Sequence, residues 1–202
     1  MKYLFIDTCT SNLIISLIID NKIVGYYNNK IDKGMSNYVL KEIEKQFNEN
    51  GINPRDIDTI FVTTGPGSFT GIRVGLSIAK VYAWGLNIKV VPLSSLEVIS
   101  SSLDENVVSI IDGRRDTVFL GVYDSNLNNI IEDKYCSIEE LKKYDYKIVS
   151  YDSFDSINTI FPNINVLKIV EKHKNDKGIN PHMLNPNYLK KTEAEEKLEC
   201  KC

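Results

Sequence analysis

Leu4-Phe5-Ile6-Asp7 is a short apolar run that ends in an aspartate, and the same pattern returns about half a chain length later as Val108-Ser109-Ile110-Ile111-Asp112. A continuous apolar run of this length, bounded by polar residues, is typical of a strand that is buried on both faces. The two runs therefore predict two equivalent buried strands, each of which brings an aspartate to its carboxyl end.

The segments that follow each run come in the same order of predicted elements. In the first half we predict strands at 3–6, 13–19, 23–27, 59–63 and 88–91, and helices at about 36–51, 71–86 and 94–101. In the second half we predict strands at 107–111, 117–123, 130–136, 147–150 and 166–169, and helices at 138–144 and about 154–161. Ser36 and Ser94 are the expected N-caps of the first and third helices, and Gly51 is the expected stop of the first.

This repeated order predicts an α/β protein of two ribonuclease-H-like lobes, with mixed sheets flanked by helices and a cleft between the lobes. The first lobe is expected to span residues 1–102, and a shorter second lobe 103–189. Residues 171–187 are rich in Pro, Asn and Lys, as in a surface loop, with Tyr188 and Leu189 as its anchor. Residues 190–202 are expected to form a charged tail. Asp7 and Asp112 would both lie at the cleft.

The composition indicates an ordinary folded protein, because 43% of the 202 residues are apolar and 25% are charged. A formal net charge of −3 argues against a protein that holds nucleic acid by bulk electrostatics. We find no signal segment or apolar run long enough to span a membrane, so we expect a cytoplasmic protein with reduced thiols. Cys200 and Cys202 are expected to be exposed thiols of the tail.

A glycine-containing turn, Thr64-Gly65-Pro66-Gly67-Ser68-Phe69-Thr70-Gly71, lies between a predicted strand and the helix that follows it. Its glycines and the first helical N–H groups could cradle a phosphate. No lysine follows the glycines as in a P-loop, and the spacing differs from the dinucleotide-binding pattern. The pattern favours a strained turn in which Ser68 or Thr70 caps the helix.

The two aspartate-ending strands are each followed by a turn that could contribute to an anion site. The first turn offers the hydroxyls of Thr8 and Thr10, but Cys9 stands where close phosphate approach favours glycine. Because no two glycines are adjacent in this chain, we expect a degraded or absent nucleotide site. In the second turn, Arg114 and Arg115 could pair with phosphate or with acidic groups of a partner, or lie at a solvated hairpin tip.

Small residues recur at every fourth position of the predicted 71–86 helix: Gly71, Gly75, Ala79 and Ala83. Such a stripe lets another backbone approach closely. Packing on this chain's own sheet and contact with a second subunit both remain open from the pattern.

The chain has only two histidines, His173 and His182, and no helical metal-binding pair. A nucleophile system would have to recruit one of these two. We therefore predict no catalytic residues and no metal ligands.

Four segments together resemble the bacterial TsaB family: Phe5–Thr10 (FIDTCT), Gly65–Lys80 (GPGSFTGIRVGLSIAK), Pro92–Glu97 (PLSSLE) and Ile111–Asp124 (IDGRRDTVFLGVYD). The usual second-lobe D-A-R-R of that family is D-G-R-R here. The resemblance continues weakly at residues 185–197.

The resemblance implies a two-lobed fold of the acetate kinase, heat-shock-protein and actin type. It also implies a non-catalytic scaffold or activator of the complex that forms N6-threonylcarbamoyladenosine at position 37 of tRNAs reading codons that begin with adenine. Such a subunit would dimerise with its paralogue TsaD, with a TsaE-type ATPase joining and tRNA bound through the complex. It has no cofactor of its own, ATP and Mg²⁺ acting only at the level of the complex, and it could form a homodimer when alone.

In this family the dimer contact is a bundle of first-lobe helices, which shifts the small-residue stripe toward the interface interpretation. The contact would comprise Gly71, Gly75, Ala79, Tyr82, Ala83, Leu40 and Ile43. A vestigial nucleotide or phosphate site would comprise Asp7, Thr8, Thr10, Gly65, Gly67, Asp112, Arg114 and Arg115.

Two other functions remain as alternatives. A self-sufficient ATPase or small-molecule kinase of the same fold would use Asp7 and Asp112 around magnesium nucleotide. A metalloprotease of the glycoprotease type is disfavoured by the small number of histidines.

Overall fold

The computed structural model describes residues 1–155 and 157–190, which form two five-stranded mixed sheets with helices packed on their faces. The first sheet contains β1 (Lys2–Asp7), β2 (Asn12–Ile19), β3 (Lys22–Lys30), β4 (Thr59–Thr63) and β5 (Lys89–Leu93). The second contains β6 (Val107–Asp112), β7 (Thr117–Tyr123), β8 (Asn129–Ser137), β9 (Lys147–Val149) and β10 (Thr159–Ile160). The helices are α1 (Met35–Glu49), α2 (Phe69–Leu86), α3 (Ser95–Ser100) and α4 (Val166–His173).

The two sheets have the same topology, which confirms the predicted ribonuclease-H-like duplication. In the first sheet, β1 is central and pairs antiparallel with β2 on one side and parallel with β4 on the other. In the second sheet, β6 takes the place of β1 and pairs antiparallel with β7 and parallel with β9. Asp7 and Asp112 therefore end equivalent central strands.

Alternation along the buried strands distributes side chains to both faces of each sheet. On the first sheet, Leu4 and Ile6 face a core shared with α1 and α2. Phe5 faces a second core that includes Val98 of α3 and Ile169 of α4. Thus α4, which comes late in the sequence, packs on the sheet built by the first half of the chain.

Most predicted elements are confirmed, two of them to the residue. Strands β4 and β7 have the predicted bounds. Ser94 caps α3 by accepting the N–H groups of Leu96 and Glu97, and Gly51 follows α1 with a positive φ of 62°. The Ser36 prediction is wrong, because α1 begins one residue earlier and its N-cap is Gly34.

Two predictions in the second half are also wrong. The segment predicted as a helix at 154–161 contains β10, which pairs parallel with β9. Residues 166–169, predicted as a strand, begin α4, whose Val166, Ile169 and Val170 bury one helical face. The helix predicted at 138–144 is confirmed in position, and it is of the 3₁₀ type, Ile138–Lys143.

Residues 171–187 are less loop-like than their composition predicts. They begin inside α4, Ile179 forms a bridge with Val90 at the edge of β5, and Leu184 is fully buried in the core beneath α2. The predicted anchor is confirmed at Tyr188, whose ring stacks on Phe69. Cys200, Cys202 and all of the predicted tail except Lys190 lie outside the described residues.

None of the described helices is both long and apolar enough to cross a lipid bilayer.

The small-residue stripe of α2 faces the turn after β1 and the core of the first sheet. A methyl group added at Gly71 would overlap the carbonyl oxygen of Thr8, and one added at Gly75 would overlap the Thr8 hydroxyl oxygen. Ala79 and Ala83 are fully buried in the core shared with β1. The prediction that these four residues form a subunit contact is therefore wrong, because this chain's own residues cover them.

We expect Gly71→Ala and Gly75→Ala each to lower the free energy of unfolding by about 1–3 kcal/mol, because the added methyl group must displace Thr8. Gly85→Ala is the matched control on the same helix, since an added Cβ there meets nothing within 4 Å. It should raise stability by about 0.5–1 kcal/mol. Urea unfolding of the three variants tests this packing, and equal effects at all three positions would contradict it.

Candidate functional site

A cleft of about 830 Å³ opens where the loops after the central strands of the two sheets face each other. One wall comes from the turn after β1 and the start of α2, and it includes Thr10 and Gly67. The other comes from the turn after β6 and from the segment after β9, and it includes Asp112, Arg114 and Asp152. The fold thus brings predicted site residues from both halves of the chain to one place.

Several predicted site residues do not line this cleft. Asp7, Thr8 and Gly65 are buried behind the first wall, and Arg115 lies on the exposed tip of the second turn. Of the predicted partner-interface residues, Ile43 is buried in the first-sheet core, and half-buried Tyr82 stacks on Phe47.

Asp7 is fully buried. Its Oδ1 accepts the N–H of Cys9 at 2.9 Å and the hydroxyl of Thr63 at 2.7 Å. Its Oδ2 has no hydrogen-bond partner within the described part of the chain. Burial raises the pKa of the Asp7 carboxyl, and the two hydrogen bonds offset this only in part. Asp7 is thus a buried group of the first-sheet interior.

The turn that leads into α2 is filled by this chain's own backbone. Gly65 and Gly67 have φ values of 119° and 147°, which side chains rarely adopt. A Cβ at Gly67 would overlap the carbonyl oxygen of Cys9, and one at Gly65 would overlap that of Asn187. The glycines therefore serve close backbone packing.

Two N–H groups at the start of α2 are also occupied within the chain. Ser68 N–H donates to the Cys9 carbonyl at 2.7 Å, and the Ser68 hydroxyl accepts the Gly71 N–H at 3.3 Å. This arrangement supports the capped-turn interpretation with Ser68 as the cap, whereas Thr70 lies inside the helix. A phosphate that bound the Ser68 N–H would have to displace the Cys9 carbonyl.

The turn after β6 is strained. Arg114, Arg115 and Asp116 have φ values of 65°, 53° and 58°, so three consecutive non-glycine residues occupy the left-handed region. Each such residue costs roughly 1–3 kcal/mol, and such strain is often found at functional sites. The turn is held by Asp112 Oδ1, which accepts the Arg114 N–H at 2.7 Å.

Asp152 is a cleft residue that the sequence analysis missed. Its Oδ2 accepts the Asp112 N–H at 2.8 Å, and burial raises the pKa of its carboxyl, with the nearby Asp112 charge adding to the shift. The sequence offered one signal for Asp152, which is its position soon after β9. Because β6 and β9 are parallel neighbours, the residues at their carboxyl ends lie at the same edge of the sheet.

No group of three or more His, Cys, Asp or Glu side chains suited to a metal ion occurs among residues 1–155 and 157–190. His173 Nε2 lies 2.7 Å from Glu97, and His173 Nδ1 lies 2.7 Å from Asp176. Burial opposes the charged imidazole, but the bonds to the two carboxylates outweigh it and raise the pKa of His173. This histidine therefore ties α4 to α3, and His182 lies in an exposed 3₁₀ turn.

The Cys9 residue lines the cleft, and its side chain is buried. Burial, with the nearby Asp7 adding to the effect, raises its pKa to about 12. The thiol therefore stays protonated and is a poor nucleophile at neutral pH.

Three residues at the rim of the cleft also escaped prediction as a group. The Arg73 guanidinium lies 3.9 Å from the centre of the Phe69 ring, and its Nε donates to the Tyr188 hydroxyl at 2.9 Å. Tyr188 stacks on Phe69 with ring centres 5.0 Å apart. Because Tyr188 is more than 100 residues away in sequence, no local pattern could have revealed this cluster.

We expect Asp7→Asn to remove a pH-dependent loss of stability. An acid whose pKa is raised in the folded state destabilises that state increasingly as pH rises from its unfolded value through its folded value. Asparagine keeps the acceptor for Cys9 and Thr63 but carries no charge. Stability of the variant relative to the unaltered chain should therefore grow between pH 4 and pH 8.

Asp7→Ala is the control, because it also removes the acceptor and should cost about 1–3 kcal/mol at low pH, where the unaltered carboxyl is neutral. Thermal unfolding followed by circular dichroism across this pH range measures both variants. Parallel pH profiles for Asp7→Asn and the unaltered chain would contradict the assignment of Asp7 as a buried carboxyl.

Comparison with known proteins supports the resemblance noted above. Residues 25–164 match the family model of TsaD, tRNA N6-adenosine threonylcarbamoyltransferase. TsaB of Bacillus subtilis (strain 168), named a tRNA threonylcarbamoyladenosine biosynthesis protein, is 33% identical over 126 residues, which cover 61% of this chain and 55% of that protein. The match thus spans little more than half the length of that relative.

Two further similarities extend over more of the molecule. TsaB of Buchnera aphidicola subsp. Baizongia pistaciae is 30% identical over 155 residues, which cover 71% of this chain and 68% of that protein. The structure of YeaZ from Pseudomonas aeruginosa superposes with a TM-score of 0.81 at 19% identity, covering 93% of this chain and 99% of that one, which shows a shared fold. Sequence and fold together show that this chain belongs to the TsaB (YeaZ) family, within the wider group described by the TsaD family model.

Proposed function

We propose that this chain is a non-catalytic scaffold or activator subunit of the complex that forms N6-threonylcarbamoyladenosine at position 37 of tRNAs reading codons that begin with adenine. It acts in the cytoplasm by dimerising with a TsaD-type paralogue. The relatives named TsaB are tRNA threonylcarbamoyladenosine biosynthesis proteins, which supports a place in this pathway.

One observation supports the non-catalytic part of the proposal: the groups best suited to chemistry are used in the chain's own packing. Asp7 is buried behind the wall, and the Ser68 N–H at the start of α2 is bonded to the Cys9 carbonyl. His173, the better buried of the two histidines, is held by Glu97 and Asp176 on the α3–α4 contact. Predicted site residues such as Asp7, Thr8 and Gly65 would therefore represent a vestigial nucleotide or phosphate site.

The surface that we propose for the TsaD-type partner is the outer face of α1 and α2. With the small-residue stripe turned inward, this face carries large apolar side chains in solvent: Leu40 is 59% exposed, Val81 70% and Trp84 67%. Exposed aromatic and aliphatic side chains on rigid helices are the usual anchors of protein interfaces. The same face would serve a homodimer when the chain is alone.

Two further partners, an ATPase and tRNA, are expected to bind the complex that contains this chain. A TsaE-type ATPase would join the dimer, and tRNA would bind through the complex, since a net charge of −3 gives this chain no bulk attraction for RNA. We propose no cofactor for the chain itself, with ATP and Mg²⁺ acting only at the level of the complex.

The second candidate is a self-sufficient ATPase or kinase that uses Asp7 and Asp112. The strained turn that presents Arg114 to the cleft favours it. The burial of Asp7 weighs against it, because a carboxyl enclosed behind the cleft wall, whose pKa is raised by burial, is poorly placed to orient a metal ion.

Reconstitution of tRNA modification from TsaD-, TsaE- and TsaC-type proteins tests the proposal. We expect the modification rate to fall at least tenfold when this chain is omitted or when it carries Val81→Ala with Trp84→Ala, because these anchors are lost from the partner surface. Size-exclusion chromatography should show the same variant as a folded chain that no longer co-elutes with the TsaD-type protein.

Phe161→Ala is the matched control, because Phe161 is 66% exposed but follows β10 in the second half of the chain. It should leave both the rate and the co-elution unchanged. A full rate without this chain would refute the proposed function, and full activity of the α2 variant would refute the proposed surface.

A further inference from the structure

The last described residues of the chain return from α4 to the cleft. After α4, Ile179 N–H donates to the Val90 carbonyl at 2.8 Å on the edge of β5. Leu184 is then fully buried in the core beneath α2. This path brings residues 187–190 to the mouth of the cleft.

Asn187 and Tyr188 hold the first wall. Asn187 N–H donates to the Thr64 carbonyl at 2.8 Å, beside the glycine-containing turn. The Tyr188 ring stacks on Phe69, and its hydroxyl accepts the Arg73 Nε–H at 2.9 Å. Phe69 itself lines the cleft.

Leu189 and Lys190 hold the opposite wall. Leu189 packs against the buried cluster that contains Ile111 and Phe119, both of which line the cleft. The Lys190 ammonium lies 4.7 Å from the centre of the Tyr135 ring of β8, within range of a cation–π interaction. Consecutive residues of one short segment therefore hold opposite walls.

The backbone of this segment is strained at Leu189, where the chain passes from the first wall to the second. Leu189 has a φ of 53°, in the left-handed region that a branched side chain rarely occupies. Such a conformation costs roughly 1–3 kcal/mol and persists when contacts on both sides fix it. The contacts of Tyr188 and Leu189 with opposite walls provide that fixation.

We propose that Asn187–Lys190 is a latch that sets the spacing of the two cleft walls. With Tyr188 on Phe69 and Leu189 on the Ile111–Phe119 cluster, the walls are held at one separation. Release of the latch lets the two walls move apart. The latch lies beside the cleft and is separate from the partner surface on α1 and α2.

Hydrogen exchange of the full-length chain, followed by mass spectrometry, tests the latch. The main variant, Tyr188→Ala, removes a contact with the first wall only. We expect it to speed amide exchange at least threefold on the second wall as well, at Gly113 and Thr117, whose N–H groups donate to the Thr117 and Arg114 carbonyls. Adding Leu189→Gly removes the contact with the second wall and relieves the strain of the positive φ. The double variant should exchange its amides at least tenfold faster than the unaltered chain on both walls.

Met183→Ala is the matched control, because Met183 lies shortly before the latch in the sequence and is 67% exposed. It should leave exchange unchanged. The amides at the Ile18–Ile23 end of the β2–β3 pair report whether each variant is folded, since this end lies away from Ser11 and Ile31, which line the cleft. Exchange at Gly113 and Thr117 within twofold of the unaltered chain in a folded Tyr188→Ala protein would overturn the proposal, as would equal effects of Met183→Ala.

Discussion

The close approach of α2 to the turn after β1 is the contact on which the rest of this structure depends. Gly71 and Gly75 leave no side chain between the helix and Thr8, and the Thr8 hydroxyl donates to the Gly71 carbonyl at 2.7 Å. This contact fixes the helix over the central strand of the first sheet, because Ala79 and Ala83 continue the same narrow face into the core. Larger residues at these positions would hold the helix away from the sheet.

The same contact determines the chemistry available at the cleft. Because the helix start lies directly on the Thr8–Cys9 turn, the Cys9 carbonyl occupies the Ser68 N–H, which otherwise could face an anion. Asp7 is enclosed behind this turn, and burial raises the pKa of its carboxyl. Inward packing of the small residues also leaves Val81 and Trp84 on the outer face of α2, where we place the partner surface.

Sequence patterns predicted the duplication well, because apolar runs such as 4–6 and 108–111 are bounded by clear polar turns. They failed between 154 and 169, where short apolar runs fit a strand and a helix equally well and only packing against the first sheet decides for α4. The stripe on α2 was recognised, but its direction was not, since a small-residue face packs equally well on its own sheet or on a partner. Asp152 and the Tyr188–Phe69 contact depend on long-range folding, so the sequence offered only indirect signals for them.

We propose that this chain supports tRNA modification through its helical surface and not through acid–base or metal chemistry in its own cleft. The most direct measurement is the modification rate of the reconstituted system with a chain carrying both Asp7→Asn and Asp112→Asn, compared with the unaltered chain. We expect equal rates, within about twofold, and an intact complex with the TsaD-type protein. A fall of tenfold or more while that complex remains intact would show that the two carboxyls take part in the reaction and would contradict the proposed scaffold role.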